Sequence, residues 1–104
     1  MMDSQTNLLE TRFERKPEMV ARRVAGEIIL VPIKRQIKED PCLYTLDEMA
    51  AFLWEKLERG STGSELVEAL LAQYSVSREL VAQDVQKFLE ELLSIEAIRI
   101  QEIH

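Results

Sequence analysis

The sequence has one cysteine, one histidine, three glycines and three prolines in 104 residues, and each scarcity removes a class of function. A lone cysteine, Cys42, cannot close an intramolecular disulfide; it suits a reducing compartment and is expected as a half-buried apolar side chain. The one histidine, His104, is the last residue, where chain ends fray. Apart from the remote couple of Cys42 with His104, the chain lacks the parts of a Cys/His metal cluster or a Cys–His nucleophile pair. No glycine-rich phosphate loop is present, since Gly60 and Gly63 merely flank a helix start. No apolar run approaches the roughly 18 residues of a membrane-spanning helix. The first residues are polar, of mixed charge, and lack the apolar centre of a secretory signal. The expectation is a non-catalytic cytoplasmic protein with no metal, no cofactor and no membrane partner.

What is present is a core and an acidic surface. The apolar fraction is 46%, ordinary for one globular domain. The net charge of −6 is uneven: residues 1–40 hold eight Lys/Arg against seven Asp/Glu, and residues 41–104 hold five against twelve. Such an acidic body disfavours nucleic acid and anionic membrane, both of which reward clustered cations.

Residues 1–16 show no sustained period and read as a flexible arm, with Leu8, Leu9 and Phe13 able to make a brief helical turn against a partner. Pro17 opens the domain proper, 17–104. Met19 to Val24 is an extended segment, Ala25-Gly26 a turn, and Glu27 to Ile33 an apolar strand covered on both faces, with Pro32 at its end or edge. Lys34 to Asp40 reads as a loop, followed by a short third strand from Cys42 to Thr45.

Three helices follow. Thr45 and Glu48 have capping-box spacing ahead of the stripe Leu46, Met49, Ala50, Leu53 and Leu57, which Phe52 and Trp54 widen. Trp54 is assigned to packing between this helix and the sheet. Arg59-Gly60 ends the helix. Thr62 and Glu65 repeat the box ahead of Leu66, Val67, Leu70, Leu71 and Tyr74. Ser77 caps the third helix, whose stripe is Val81, Val85, Phe88, Leu89 and Leu92. Residues 97–103 alternate and suggest a final strand. The predicted fold is α+β and winged-helix-like: a β-hairpin and a short third strand packed on a three-helix bundle.

The carboxylates Glu55, Glu58, Glu90 and Glu91 sit on outward helix faces, where nothing splits their pKa values for acid–base work. A winged-helix DNA-binding regulator is the rival reading. From Ser77 to Leu93, however, Arg78 and Lys87 stand against Glu79, Asp84, Glu90 and Glu91, which phosphates would repel. A plain protein–protein adaptor is the third reading.

The stretch Tyr44-Thr45-Leu46-Asp47-Glu48-Met49-Ala50-Ala51-Phe52-Leu53-Trp54-Glu55-Lys56-Leu57 resembles the signature of the PqqD family (coenzyme PQQ synthesis protein D), with Asp47 where that family usually has Asn. Thr62 to Leu70 is similar to its second helix and Asp84 to Leu93 to its third, so the resemblance spans about Pro17 to Ile100. After Leu93 the family commonly places Lys-Gly before a final apolar turn; here Ser94-Ile95-Glu96-Ala97 intervenes.

The resemblance implies a peptide-binding domain that recognises the leader of a ribosomally made precursor peptide. It would present that leader to a modifying enzyme, often a radical S-adenosylmethionine enzyme. The leader would add as a strand beside the third strand, against the third helix. Carried over by position, the peptide-binding residues are Leu43, Tyr44 and Thr45 on the strand, and Leu80, Asp84, Lys87 and Glu91 on the helix. An unpaired strand edge can also pair with its twin, so a monomer or a homodimer is open. Synthesis of pyrroloquinoline quinone itself is not implied, nor is the identity of the precursor.

Overall fold

The computed structural model of the protein describes residues 8–32 and 44–101. The predicted α+β plan is present. Strands β2 (Met19–Val24) and β3 (Glu27–Pro32) form an antiparallel hairpin paired from Val24↔Glu27 to Met19↔Pro32. Its two-residue turn is Ala25-Gly26, with φ of 53° and 85°. Positive φ at both positions is the type I′ geometry that matches the twist of the flanking strands.

Strand β4 (Tyr44–Leu46) adds antiparallel to β3, Ile28 facing Leu46 and Leu30 facing Tyr44. Because side chains alternate along a strand, Leu30 and Leu46 share the face turned to the helices, and both are buried. Ile29 and Val31 on the other face are half-buried, so β3 is sealed on one face and only partly covered on the other. Of the predicted third strand, Cys42 and Leu43 lie outside the described residues, as do the loop Lys34 to Asp40, Ile33 and His104.

The three helices are α1 (Glu48–Lys56), extended by a 3-10 turn at Leu57–Arg59, α2 (Gly63–Gln73) and α3 (Arg78–Ser94). Ser77 and the Thr62–Glu65 box cap α3 and α2 as expected. The Thr45–Glu48 box does not form. Thr45 is committed to the β4 ladder opposite Ile29, so Asp47 caps α1 and accepts the Ala50 N–H at 2.8 Å. A short carboxylate is among the best acceptors for that position. The predicted stripe of α3 is buried at all five positions. It packs on Leu66, Val67 and Leu70 of α2 and Leu53, Trp54 and Leu57 of α1 in one core.

For residues 8–16 of the predicted arm the expectation fails; residues 1–7 lie outside the described residues. Residues 8–10 form a helical turn, and Arg12–Arg15 is a strand, β1, at the centre of a second sheet. On one side it pairs with β5 (Ser61–Thr62), and on the other with β6 (Ile98–Ile100). Phe13 is 2% exposed, and Leu8 and Leu9 pack against the same core. The partner of these apolar side chains is therefore the rest of the chain. Gly63 permits the close approach: a Cβ there would lie 2.7 Å from the Leu9 Cα. Arg15 places its guanidinium 4.8 Å over the Trp54 ring and donates to the Trp54 carbonyl at 2.8 and 3.0 Å. Trp54, 3% exposed, is thus a packing residue, as its place on the apolar stripe suggests.

Helix α3 ends in a reversal at the point where the sequence departs from the resembled pattern. The Glu96 N–H donates to the Leu93 carbonyl and the Ala97 N–H to the Leu92 carbonyl, the paired bonds of a Schellman motif. Glu96 holds φ at 61°, where a Cβ is unfavourable by about 1–2 kcal/mol. Replacing Glu96 by glycine should stabilise the fold by about 1 kcal/mol. The 3.5 Å pair to Lys16, with Glu96 79% exposed, offsets little of this. A higher denaturant midpoint with an unchanged slope is the expected result; an unchanged or lower midpoint would contradict it.

Candidate functional site

In the sheet ordered β2-β3-β4, β4 pairs with β3 along one edge, and no described strand pairs with the other. Successive residues of a strand aim their amides and carbonyls to opposite sides, so this edge turns backbone groups away from β3 that no described strand pairs. Beside it lies a hollow of about 310 Å³. Tyr44 bounds it from β4, and Asp47, Met49, Ala50 and Leu53 from the start of α1. Leu70 reaches it from α2, and Asp84, Lys87, Phe88 and Glu91 from α3. Volume does not single it out, since a hollow of about 510 Å³ lies by Met19 and Ile95, and one of about 570 Å³ borders it, sharing Tyr44, Asp47 and Ala50. Its distinction is an apolar floor between a free strand edge and a helix.

The helical period builds this wall. With Val81, Val85, Phe88, Leu89 and Leu92 turned inward, residues one step round the helix, Asp84, Lys87 and Glu91, stand along its rim. The floor consists of apolar side chains from the helix stripes, Phe88 and Leu53 above all. Tyr44 and Leu46 point to the helix side of β4, which carries the Tyr44 hydroxyl to Glu91, and the hydroxyl donates a hydrogen bond to that carboxylate. Burial first, then the bond to Glu91 and the charges of Glu91 and Asp47, raises the Tyr44 pKa.

This can be measured. The sequence has two tyrosines, so Tyr74→Phe leaves Tyr44 as the only phenol. Its phenolate absorbance should appear above the ordinary value of about 10. The folded chain then holds a proton that the unfolded chain releases near that pH. Stability from this contact is complete below it and falls as pH rises through the folded value. Glu91→Gln should lower the titration midpoint. A midpoint at the ordinary value would show that Tyr44 is not held as described.

Of the residues assigned from the resemblance, Tyr44, Asp84, Lys87 and Glu91 come together around the hollow. Thr45 is exposed on the opposite face of β4, across from Ile29. Leu80 is 60% exposed one turn before Asp84, beyond the hollow. Leu43 lies outside the described residues. The sequence reading did not assign Asp47, Met49, Ala50, Leu53, Leu70 or Phe88 to this site. Five of the six are apolar helix residues that only the packing of β4 turns into a groove floor.

Among the described residues, no group of three His, Cys, Asp or Glu side chains is placed to hold a metal ion, and no helix is long and apolar enough to cross a membrane. Arg78, one of two cations on α3, is paired with Glu68 at 2.5 Å. That leaves Lys87 beside four acids, an unfavourable face for phosphate.

The family model for coenzyme PQQ synthesis protein D (PqqD) matches residues 27–98, well over half the chain. No curated protein matches it. Among solved structures, the chain is similar to TbiB1 in complex with the TbiA(beta) leader peptide. The identity is 27% and the TM-score 0.68, over 86% of this chain and 99% of that one. The chain belongs to the PqqD family.

Proposed function

We propose that this protein binds the leader of a ribosomally made precursor peptide and presents it to a peptide-modifying enzyme, a radical S-adenosylmethionine enzyme in the first instance. The leader adds as a strand to the free edge of β4, and its alternate side chains enter the groove against α3. One observation carries the reading: the edge of β4 that no described strand pairs lies directly beside an apolar-floored hollow. An extended peptide satisfies edge amides and carbonyls, and pockets beside them supply selectivity. The leader peptide bound to the similar TbiB1 and membership of the PqqD family support the same use here.

In this reading Tyr44, Asp84, Lys87 and Glu91 contact the peptide, Leu43 and Thr45 contribute through the strand, and Leu80 meets a segment running past the groove. The chain itself performs no chemistry and works in the cytoplasm, as monomer or homodimer. Titrating the isotope-labelled protein with synthetic leaders of candidate precursor peptides tests this. Amide signals of Tyr44–Leu46 and of Asp84–Glu91 should move together and saturate. Binding that leaves both segments untouched sinks the groove assignment. Co-elution of the loaded protein with a candidate radical S-adenosylmethionine enzyme tests presentation separately.

A further inference from the structure

The groove has charges that its own side chains leave unanswered. Asp47 is occupied at the N-terminus of α1, where it accepts the Ala50 N–H. Glu91 is occupied by the Tyr44 hydroxyl. Asp84 is exposed on the rim and takes part in none of the ion pairs of the described residues. Lys87, on the same wall one turn further on, does not reach it. An apolar floor at Phe88 thus sits one helical turn from a free carboxylate.

Spacing turns this into a rule for the occupant. Asp84 and Phe88 are four residues apart on α3, roughly 6 Å along the axis. Two side chains on the same face of a strand are two residues apart, roughly 6.6 Å. A strand lying along α3 therefore brings one side chain over Phe88 and the next one on that face beside Asp84.

Resting on the proposed groove binding, we infer that the site selects a leader segment in which Lys or Arg stands two residues from a bulky apolar residue. The apolar side chain seats on Phe88, Met49 and Leu53, and the cation pairs with Asp84, the specificity-determining residue. The edge of β4 supplies affinity that is indifferent to sequence, and this pair supplies the choice. The carboxylate is solvent-exposed, so the pair contributes modestly to affinity and is weakened by salt.

A random peptide library displayed against the full-length protein tests both layers. Selected peptides that compete at the groove should be enriched in Lys or Arg two positions from a large apolar residue. Replacing that cation by Gln in a selected peptide should weaken binding roughly three- to fivefold at low salt. Asp84→Lys, a change at an exposed position, should shift the preference at the same place to Asp or Glu. Groove binders with identical residue preferences for wild type and Asp84→Lys would overturn the charge rule and leave groove binding standing. Failure to select any peptide that moves the β4 and α3 amide signals would overturn both.

Discussion

Replacing Phe13 with alanine should lower stability by about 3–5 kcal/mol, the cost typical of removing a fully buried aromatic ring. Phe13 is 2% exposed and lies on the central strand of a sheet, opposite Ser61 on one side and Ile100 on the other. Its ring belongs to the cluster that includes Trp54 and Leu57. Truncation loses the area buried and leaves a cavity that this small domain has little means to refill. The neighbouring ion pairs make an internal control. Arg12–Glu65 at 3.2 Å and Arg99–Glu14 at 2.7 Å are solvent-exposed to varying degrees, so Glu14→Ala should change stability by about 1 kcal/mol or less. Equilibrium denaturation of the two variants separates the cases. A Phe13→Ala protein as stable as wild type would mean that β1 is not part of the fold.

Filling the groove should weaken peptide binding at least tenfold while leaving the fold intact. Ala50, on the first turn of α1, is half-buried and lines the hollow with Met49 and Leu53. A phenylalanine there would project over the hollows of about 310 and 570 Å³ that Ala50 borders. Overpacking costs stability where there is no room, and here room exists. Leader affinity should fall at least tenfold, about 1.4 kcal/mol, with a thermal midpoint near that of wild type. Ala72→Phe, at an exposed position of α2, should change neither. An Ala50→Phe protein that folds and binds as well as wild type would place the peptide elsewhere.

The two variants also mark the limits of sequence reading. The helices were legible because their stripes are long and their ends carry specific capping chemistry, Thr62 with Glu65 and Ser77 among them. The hairpin was legible from Ala25-Gly26 between extended runs. Strand β1 was not, because it is four residues long and shows a single apolar side chain, Phe13. Its other inward residue is Arg15, which a sequence pattern counts as surface. Arg15 is half-buried only because the Trp54 ring and carbonyl receive its guanidinium, a long-range arrangement that no local period encodes. The Thr45 cap failed for a related reason: two local roles competed for one residue, and pairing with Ile29 won. At the site, the charged rim of Asp84, Lys87 and Glu91 could be placed from helix geometry and the family pattern. Met49, Ala50 and Phe88 could not, since a groove floor and a sealed core present the same apolar stripe until the facing strand is in place.

Amide hydrogen exchange along β4, with and without saturating leader peptide, tests the central claim most directly. Strand addition requires that outward-facing amides among Tyr44–Leu46, which no described strand protects, become strongly protected on binding. Saturable binding that leaves their exchange unchanged would contradict the account, however tight that binding is.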